Sequence, residues 1–333
     1  MHINSNLPKK VLAWYDNSKR NLPWRVGKNS PNKLYYRLLS EFMLQQTQVK
    51  TVIPYFNKFT KKFKTLESLS KSNERIILKL WEGLGYYRRA RNLLASAKML
   101  IKQYNSKLPT TIKEIKKLPG VGEYTANALL GLIYDQPTIA LDGNVKRVFA
   151  RNLNKKEEKI DYENFILLNS KNLFNTNRNA DFVEALMEFG ALICKPKDPK
   201  CSACCLNKSC KYFKSSYKII TTNKKNVKEM NYDIFCYLNK KKQIALTKEN
   251  KISFLKNFNL PAIKKMKNIS VNKNWKFLRS YKNSISNLKL NINLYYRFSN
   301  KIPSAYNWYL LKDNKEFIPS FTKKIFKQVS ILF

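Results

Sequence analysis

The sequence predicts a mainly α fold, a long helical region followed by a smaller α+β region, and three observations carry that prediction. From Pro8 to about Tyr212 apolar residues recur at spacings of three and four, the period of a helix with one buried face. Five of the six cysteines fall between Cys194 and Cys210. After a polar, basic stretch at about 214–231 the apolar period shortens to two, as in strands. A chain of 333 residues has the length for about two domains and a sizeable core.

The helical period runs through VLAWY at 11–15, LYYRLLSEFMLQQTQV at 34–49, RIILKLW at 75–81, ARNLLASAKMLI at 90–101, ANALLGLIY at 126–134 and DFVEALMEFGALI at 181–193. Short Pro, Gly or Asn punctuation separates these runs, so neighbouring helices are joined tightly. No repeat of about 20 to 50 residues marks a solenoid. KSSYKIITTNKKNVKEMN, 214–231, lacks periodicity and is taken as a linker. Beyond it DIFCYL, NKKK and QIALTK read as strand, turn and strand, and LKLNINLYYRF alternates as a long strand. Carboxylates are scarce and scattered there, so a Mg²⁺-dependent chemistry is not expected of the second region.

Lys and Arg number 64 against 22 Asp and Glu, a formal charge of +42. The excess is mostly Lys and comes with much Asn, Ile, Tyr and Phe, all with A/T-rich codons, so drift accounts for part of it. It nevertheless favours nucleic acid or an anionic membrane as partner. The only histidine is His2, which excludes Ser-His-Asp and Cys-His nucleophile systems and multi-histidine metal sites. Acid–base work falls to carboxylates, Tyr or Lys. No run approaches the roughly 18 apolar residues of a membrane span and no apolar signal region opens the chain, so a cytoplasmic protein without a membrane partner is expected.

Cys194, Cys201, Cys204 and Cys210 give C-x6-C-x2-C-x5-C directly after the run ending at Ile193. Four thiolates on short loops can hold either a 4Fe-4S cluster or a tetrahedral zinc, and the spacing leaves both open. Cys205, adjacent to Cys204, and the distant Cys236 are read as bystanders. Upstream, TIKEIKKLPGVGEYTANALLGLIY at 111–134 reads as helix, turn, helix. Pro119 ends the first helix, while Gly120 and Gly122 supply backbone conformations closed to other residues and a close approach for a nucleic-acid strand. With Val121 they present the amides of the second helix's N-terminus to a phosphate.

That hairpin, LDGNVKRV at 141–148 and the cysteine pattern together resemble the helix-hairpin-helix DNA glycosylase superfamily that contains endonuclease III. SEFMLQQTQVKTVIPYF at 40–56, LWEGLGYYRRARNL from Leu80 and NLPWR at 21–25 narrow the resemblance to the adenine DNA glycosylases of the MutY type, over about residues 8–212. The resemblance implies a two-lobed helical catalytic unit at 1–213 with an iron-sulfur loop at 194–210, a linker at 214–231 and a degenerate Nudix-like lesion-recognition domain at 232–333. It implies one 4Fe-4S cluster rather than zinc. It also implies a monomer whose partner is double-stranded DNA with adenine opposite 8-oxoguanine or guanine.

Glu41 sits among Leu38, Leu39, Phe42, Met43 and Leu44, surroundings that raise a carboxyl's pKa toward an acid role. The family's equivalent Glu protonates adenine and later activates water, so the resemblance gives Glu41 that role. Asp142 matches the carboxylate that stabilises the oxocarbenium-like sugar, with a plain helix N-cap as the alternative. Asn144 would orient it, and Lys146, one turn on, would contact phosphate. Tyr124 stands where endonuclease III-like enzymes carry a nucleophilic Lys, and a phenol forms no Schiff base, so a monofunctional glycosylase is expected, with Tyr124 as a catalytic residue that assists sugar stabilisation. By the same resemblance Trp24 and Arg25 line the adenine pocket, Glu184 meets the exocyclic amine, and Gln46 and Tyr86 wedge into the duplex. Arg88, Arg89 and Arg91 are read as a solvated basic face on DNA. The family's Phe-Ser-His lesion-reading triplet becomes Ile285-Ser286-Asn287, leaving Ser286 as the hydrogen-bonding member. An endonuclease III-like pyrimidine glycosylase with lyase activity, and a non-catalytic DNA-binding protein, are the alternatives. Tyr124 opposes the first; the presence of both Glu41 and Asp142 opposes the second.

Overall fold

Helix-forming runs, each with one apolar stripe, fold as the 3.6-residue period requires. The computed structural model describes residues 2–215, 227–250, 252, 255–266, 274–285, 288–312 and 317–333. Two compact units result, one of Met1–Ile77 and Tyr86–Asn223, the other of Leu78–Gly85 and Lys224–Phe333. Among the described residues no helix is long and apolar enough to cross a membrane.

The first unit is helical. In chain order come α1 (Leu7–Ser18), α2 (Lys33–Leu44), α3 (Val49–Lys62), α4 (Leu66–Ser70), α5 (Glu74–Leu80, which passes into the second unit) and α6 (Arg88–Tyr104). They are followed by α7 (Ile112–Ile115), α8 (Glu123–Tyr134), α9 (Gly143–Leu153), α10 (Tyr162–Leu168), α11 (Ser170–Leu173), α12 (Asn179–Leu192) and α13 (Lys211–Lys214). Side-chain caps start several of them: Thr65, Thr111, Asp142 and Asp161 each accept from a backbone amide of the following turn. One core joins Leu7, Val11 and Tyr15 of α1 to Val148 and Phe149 of α9 and Phe182, Leu186 and Phe189 of α12. The Trp14 ring meets Phe189 edge-on at 5.1 Å. These contacts fix α9, whose start carries Asp142 and Asn144, and α12, whose middle carries Glu184.

The run at 34–49 does not continue as one helix. It breaks after Leu44 and resumes at Val49, with Gln46 in the left-handed region at φ 57°. The cause is Arg89, only 7% exposed, whose guanidinium donates to the carbonyls of Phe42 (3.2 Å), Met43 (2.7 Å) and Gln45. Arg89 is therefore a buried helix-end clamp and not part of the solvated basic face expected for it. Arg91 meanwhile pairs with Glu74 at 2.7 Å.

The second unit carries β1 (Lys228–Asn239), β2 (Gln243–Leu246), β3 (Ala262–Lys265), β4 (Lys276–Ile285), β5 (Leu288–Phe298) and β6 (Asn307–Leu310), then α14 (Ser320–Val329). The sheet order is β4-β5-β1-β2-β6, with β3 also on β1; β1 and β5 run parallel and the other pairs antiparallel. β5 coincides with the alternating run LKLNINLYYRF, whereas β1 starts at Lys228, inside the stretch read as linker. Ile234, Cys236 and Leu238 of β1 and Leu290, Ile292 and Leu294 of β5 form the buried face. Lys324 and Gln328 of α14 reach Asn283 (2.7 Å) and Arg279 (2.9 Å), which sit opposite Leu290 and Leu294, so α14 lies over that face.

Candidate active site

The start of α8, the start of α9, the C-terminal half of α2 and the middle of α12 converge on one cavity of about 480 Å³. Its walls bring together Trp24, Arg25, Glu41 and Tyr124 with Asp142, Asn144 and Glu184. Glu41 projects from α2 and is 5% exposed. Burial pushes its carboxyl up to about 7, with Asp142 and Glu184 adding to the rise while Arg37 and a hydrogen bond with Tyr124 work against it. The Tyr124 hydroxyl also lies 3.3 Å from Met187 Sδ, and burial followed by the Glu41 charge keeps that phenol far above its ordinary pKa.

Asp142 is the helix cap that the sequence offered as the alternative, and it also lines the cavity. It caps α9, accepting from Asn144 N at 2.8 Å and Val145 N at 2.7 Å, and it faces the cavity. Asn144 Nδ2 donates to its other oxygen at 2.8 Å. Burial raises the Asp142 carboxyl, and these three donors oppose the rise. Asn144 is in turn held by Arg147, which donates to Asn144 Oδ1 (2.8 Å), Gly190 O (2.8 Å) and Cys194 O (2.8 Å). The approach of α12 to α9 is close enough that a Cβ on Gly190 would sit 2.8 Å from Asn144 O.

The far wall is a network of buried ions. Glu184 accepts from Arg37 on one oxygen and from the Tyr15 hydroxyl on the other, so both of its oxygens are engaged, and it is ion-paired with Arg25, whose Nε lies 3.1 Å away. Glu188 accepts from Arg20 at 2.7 and 2.8 Å and from Arg25 Nη2 at 3.1 Å. Burial alone would raise Glu188, but its bonds to Arg20 and the Arg25 charge together hold it below the usual carboxylate range. Arg20, Arg37, Tyr15 and Glu188 were not singled out from the sequence. A signal existed for the last: Glu184 and Glu188 stand four apart in an otherwise apolar helical run, and buried carboxylates require cationic partners.

Other expected residues lie elsewhere. Gln46 and Tyr86 are exposed, both with left-handed backbones (φ 57° and 49°), and the Arg89 guanidinium that clamps the α2 end also packs on the Tyr86 ring at 5.2 Å. Lys146 is not among the cavity's lining residues; its ammonium lies over the Tyr162 ring at 5.4 Å. Ser286 lies outside the described residues. In the hairpin, Gly120 has φ 80° and a Cβ there would strike the Asn92 side chain, so glycine is required. Gly122 does not adopt a conformation closed to other residues: its φ is −98°, and open space surrounds it. Its contribution is the uncapped start of α8, with Val121 buried beneath.

Cys194, Cys201, Cys204 and Cys210 line one pocket of about 30 Å³. Burial pushes Cys194, Cys204 and Cys210 up, and neighbouring thiols of the group raise each further. Among the described residues no three His, Cys, Asp or Glu side chains converge closely enough to hold a metal ion as they stand. The donor set fits an iron-sulfur cluster in kind, in number and in sharing one pocket. Arg151 donates to Lys195 O (2.6 Å), Pro196 O (2.9 Å) and Cys194 Sγ (3.6 Å), an N–H to sulfur contact of the sort that tunes such clusters. Cys205 packs against the helical core.

Residues 39–168 match the family described as HhH-GPD superfamily base excision DNA repair protein. The adenine DNA glycosylase of Buchnera aphidicola subsp. Baizongia pistaciae (strain Bp) is 35% identical over 91% of this chain and 90% of its own. That of subsp. Schizaphis graminum (strain Sg) is 33% identical over 95% and 96%. A thermostable thymine-DNA glycosylase superposes with a TM-score of 0.54 at 29% identity, covering 62% of this chain and 94% of its own. With cavity, hairpin and cysteine pocket carried on the fold these relatives share, the chain belongs to the adenine DNA glycosylase family of the HhH-GPD superfamily.

Proposed function

We propose that the chain is a monofunctional glycosylase that hydrolyses the N-glycosidic bond of adenine in DNA where adenine stands opposite 8-oxoguanine or guanine. The observation that carries this reading is Glu41, a buried carboxyl pushed up to about 7 in the same cavity as Asp142. The adenine anion is a poor leaving group, so the base must take a proton as its bond to the sugar breaks, and the cationic sugar must be stabilised. Glu41, kept neutral by its apolar surroundings, gives the base that proton. Asp142, whose ionised form is favoured by three donors, faces the oxocarbenium-like carbon. The Glu41 carboxylate then takes a proton from the water that adds to the sugar, which leaves free adenine, an abasic site and a neutral Glu41 for the next turnover.

The base must leave the duplex stack to enter a cavity of this size. Trp24 and Arg25 form its receiving wall, and the engaged oxygens of Glu184 leave it a framework role for Arg25 as well as one toward the exocyclic amine. Gln46 and Tyr86 are both exposed, and Arg89 bonds the neighbouring Gln45 carbonyl while packing on the Tyr86 ring, so the two are suited to fill the space left in the duplex. The Gly120-Val121-Gly122 turn would take a phosphate, and Lys146 is proposed as a second phosphate contact. The four cysteines would hold a 4Fe-4S cluster, which when bound supplies a covalent staple across the loop after α12. Residues 232–333 are proposed as the Nudix-like lesion reader, with Ser286 as the hydrogen-bonding residue of the reading loop.

The test is single-turnover cleavage of duplexes carrying adenine opposite 8-oxoguanine, adenine opposite guanine, and thymine glycol, each with and without alkali. Breaks that need alkali and occur only in the adenine duplexes fit the reading. Breaks at thymine glycol without alkali would overturn it.

A further inference from the structure

The face of the second unit's sheet opposite α14 carries a continuous set of aromatic rings. Phe235 and Tyr237 of β1 alternate with the buried Ile234, Cys236 and Leu238, as Tyr295 and Arg297 of β5 follow the buried Ile292 and Leu294. Phe235 stacks on Tyr295 at 5.3 Å with 16° between planes, and Trp275 meets Phe235 at 5.1 Å and Tyr237 at 4.9 Å. Phe277, 56% exposed, extends the set beyond Tyr295 at 5.6 Å, and Tyr306 closes the other side at 6.0 Å from Tyr237. Two cations lie among the rings. Lys264 is 5.8 Å from the Phe235 centroid, and the Arg297 guanidinium is held between Tyr237 (4.5 Å) and Trp275 (5.1 Å). Among the described residues Arg297 makes no ion pair, and its buried Nε has no hydrogen-bond acceptor. Among the described β1 residues two carboxylates share this face: Asp233 sits opposite Lys264 and accepts from Asn293 at 3.1 Å, and Glu229 pairs with Lys289 at 4.0 Å.

We propose that this face is a stacking platform for unpaired DNA bases. Rings offer a surface that any base can stack on, and a guanidinium packed against two aromatics, with no carboxylate partner among the described residues, supplies donors for a phosphate. The sign of the charge suits a polyanion, and the protein excess of Lys and Arg supports the same choice. The platform is separate from the proposed lesion-reading loop: Phe277 and Ile285 stand at opposite ends of β4, about 26 Å apart along a strand. It does not rest on the glycosylase reading, which fails or stands on adenine excision from duplexes.

The test uses the full chain and fluorescence anisotropy with a labelled thymine homopolymer of about 12 nucleotides, which offers no adenine. Its control is a strand of equal length with every base removed. The platform predicts about tenfold tighter binding of the thymine strand than of the base-free strand, and a loss of about tenfold for the thymine strand alone in Trp275→Ala and in Phe277→Ala. Phe277→Tyr should bind as the parent does. Phe277 is more than half exposed, so its replacement leaves the fold intact, and an unchanged melting curve verifies this. Equal affinity for the two strands, or full thymine-strand affinity in folded Phe277→Ala and Trp275→Ala, overturns the proposal.

Discussion

Replacing Glu41 by Gln separates the cost of keeping a catalytic acid from its use. Glutamine keeps the shape and removes the ionisable proton. In the unfolded chain Glu41 titrates near 4.5, and in the folded protein near 7. Below the first value both states hold the proton and ionisation does not affect stability. As pH rises through the second, the folded state must accept a buried charge that the unfolded state holds freely, so native stability is lost across this window. At about 1.36 kcal/mol per pH unit, the interval corresponds to about 3 kcal/mol. Glu41→Gln should therefore match the parent at pH 4 and exceed it by about 3 kcal/mol at pH 8, read as urea midpoints at several pH values. In single-turnover excision the parent's rate should fall as pH rises through 7, because the neutral acid is the active form, and the variant should show no excision at any pH. A stability difference that is the same at pH 4 and pH 8, or a parental rate that climbs steadily above neutrality, would refute the assignment of Glu41 as a buried acid.

Three further outcomes follow from the packing around that acid. Gly190→Ala would force a methyl to within 2.8 Å of Asn144 O; it should cost about 1–3 kcal/mol and slow excision by displacing the Asp142 cap, measured by thermal melting and single-turnover rates. Arg147→Met removes the donor shared by Asn144, Gly190 and Cys194 and should destabilise the protein by about 3 kcal/mol or more, read by urea denaturation. Cys204→Ser should abolish the visible absorbance and iron content of the purified protein, whereas Cys205→Ser, at a position packed on the helical core, should keep both; loss in the second variant would reassign the ligand.

What the sequence made legible was local. The 3.6-residue period found the main helices, the period of two found β5 to the residue, and Asp142 before a glycine and a helix offered the cap as its alternative reading. The misses are all tertiary. A helical run continues in pattern to Val49, yet Arg89, more than forty positions away, takes the carbonyls that the next turn would have used. Arg20 and Arg25 meet Glu188 across some 160 positions, and nothing around those arginines announces it. Gly122 was overread because glycine permits unusual backbone angles without requiring them, whereas Gly120 was read correctly because its φ and its neighbour Asn92 leave no alternative.

Under the proposed function the same network accounts for how so basic a protein would stabilise a cation. Only 22 carboxylates exist in the chain, and four of them, Glu41, Asp142, Glu184 and Glu188, line one cavity with Arg20, Arg25 and Arg37. Glu184 and Glu188 are consumed by those arginines, and burial holds Glu41 neutral at pH values below about 7. Asp142 is in no ion pair among the described residues and is held by uncharged donors. It is thus the carboxylate whose charge is left to act on the cavity, and a low-dielectric wall strengthens its pull on a developing positive sugar. A surplus of lysine on the outside draws in the polyanion, while ion pairing inside cancels the arginine charge that would otherwise oppose the reaction.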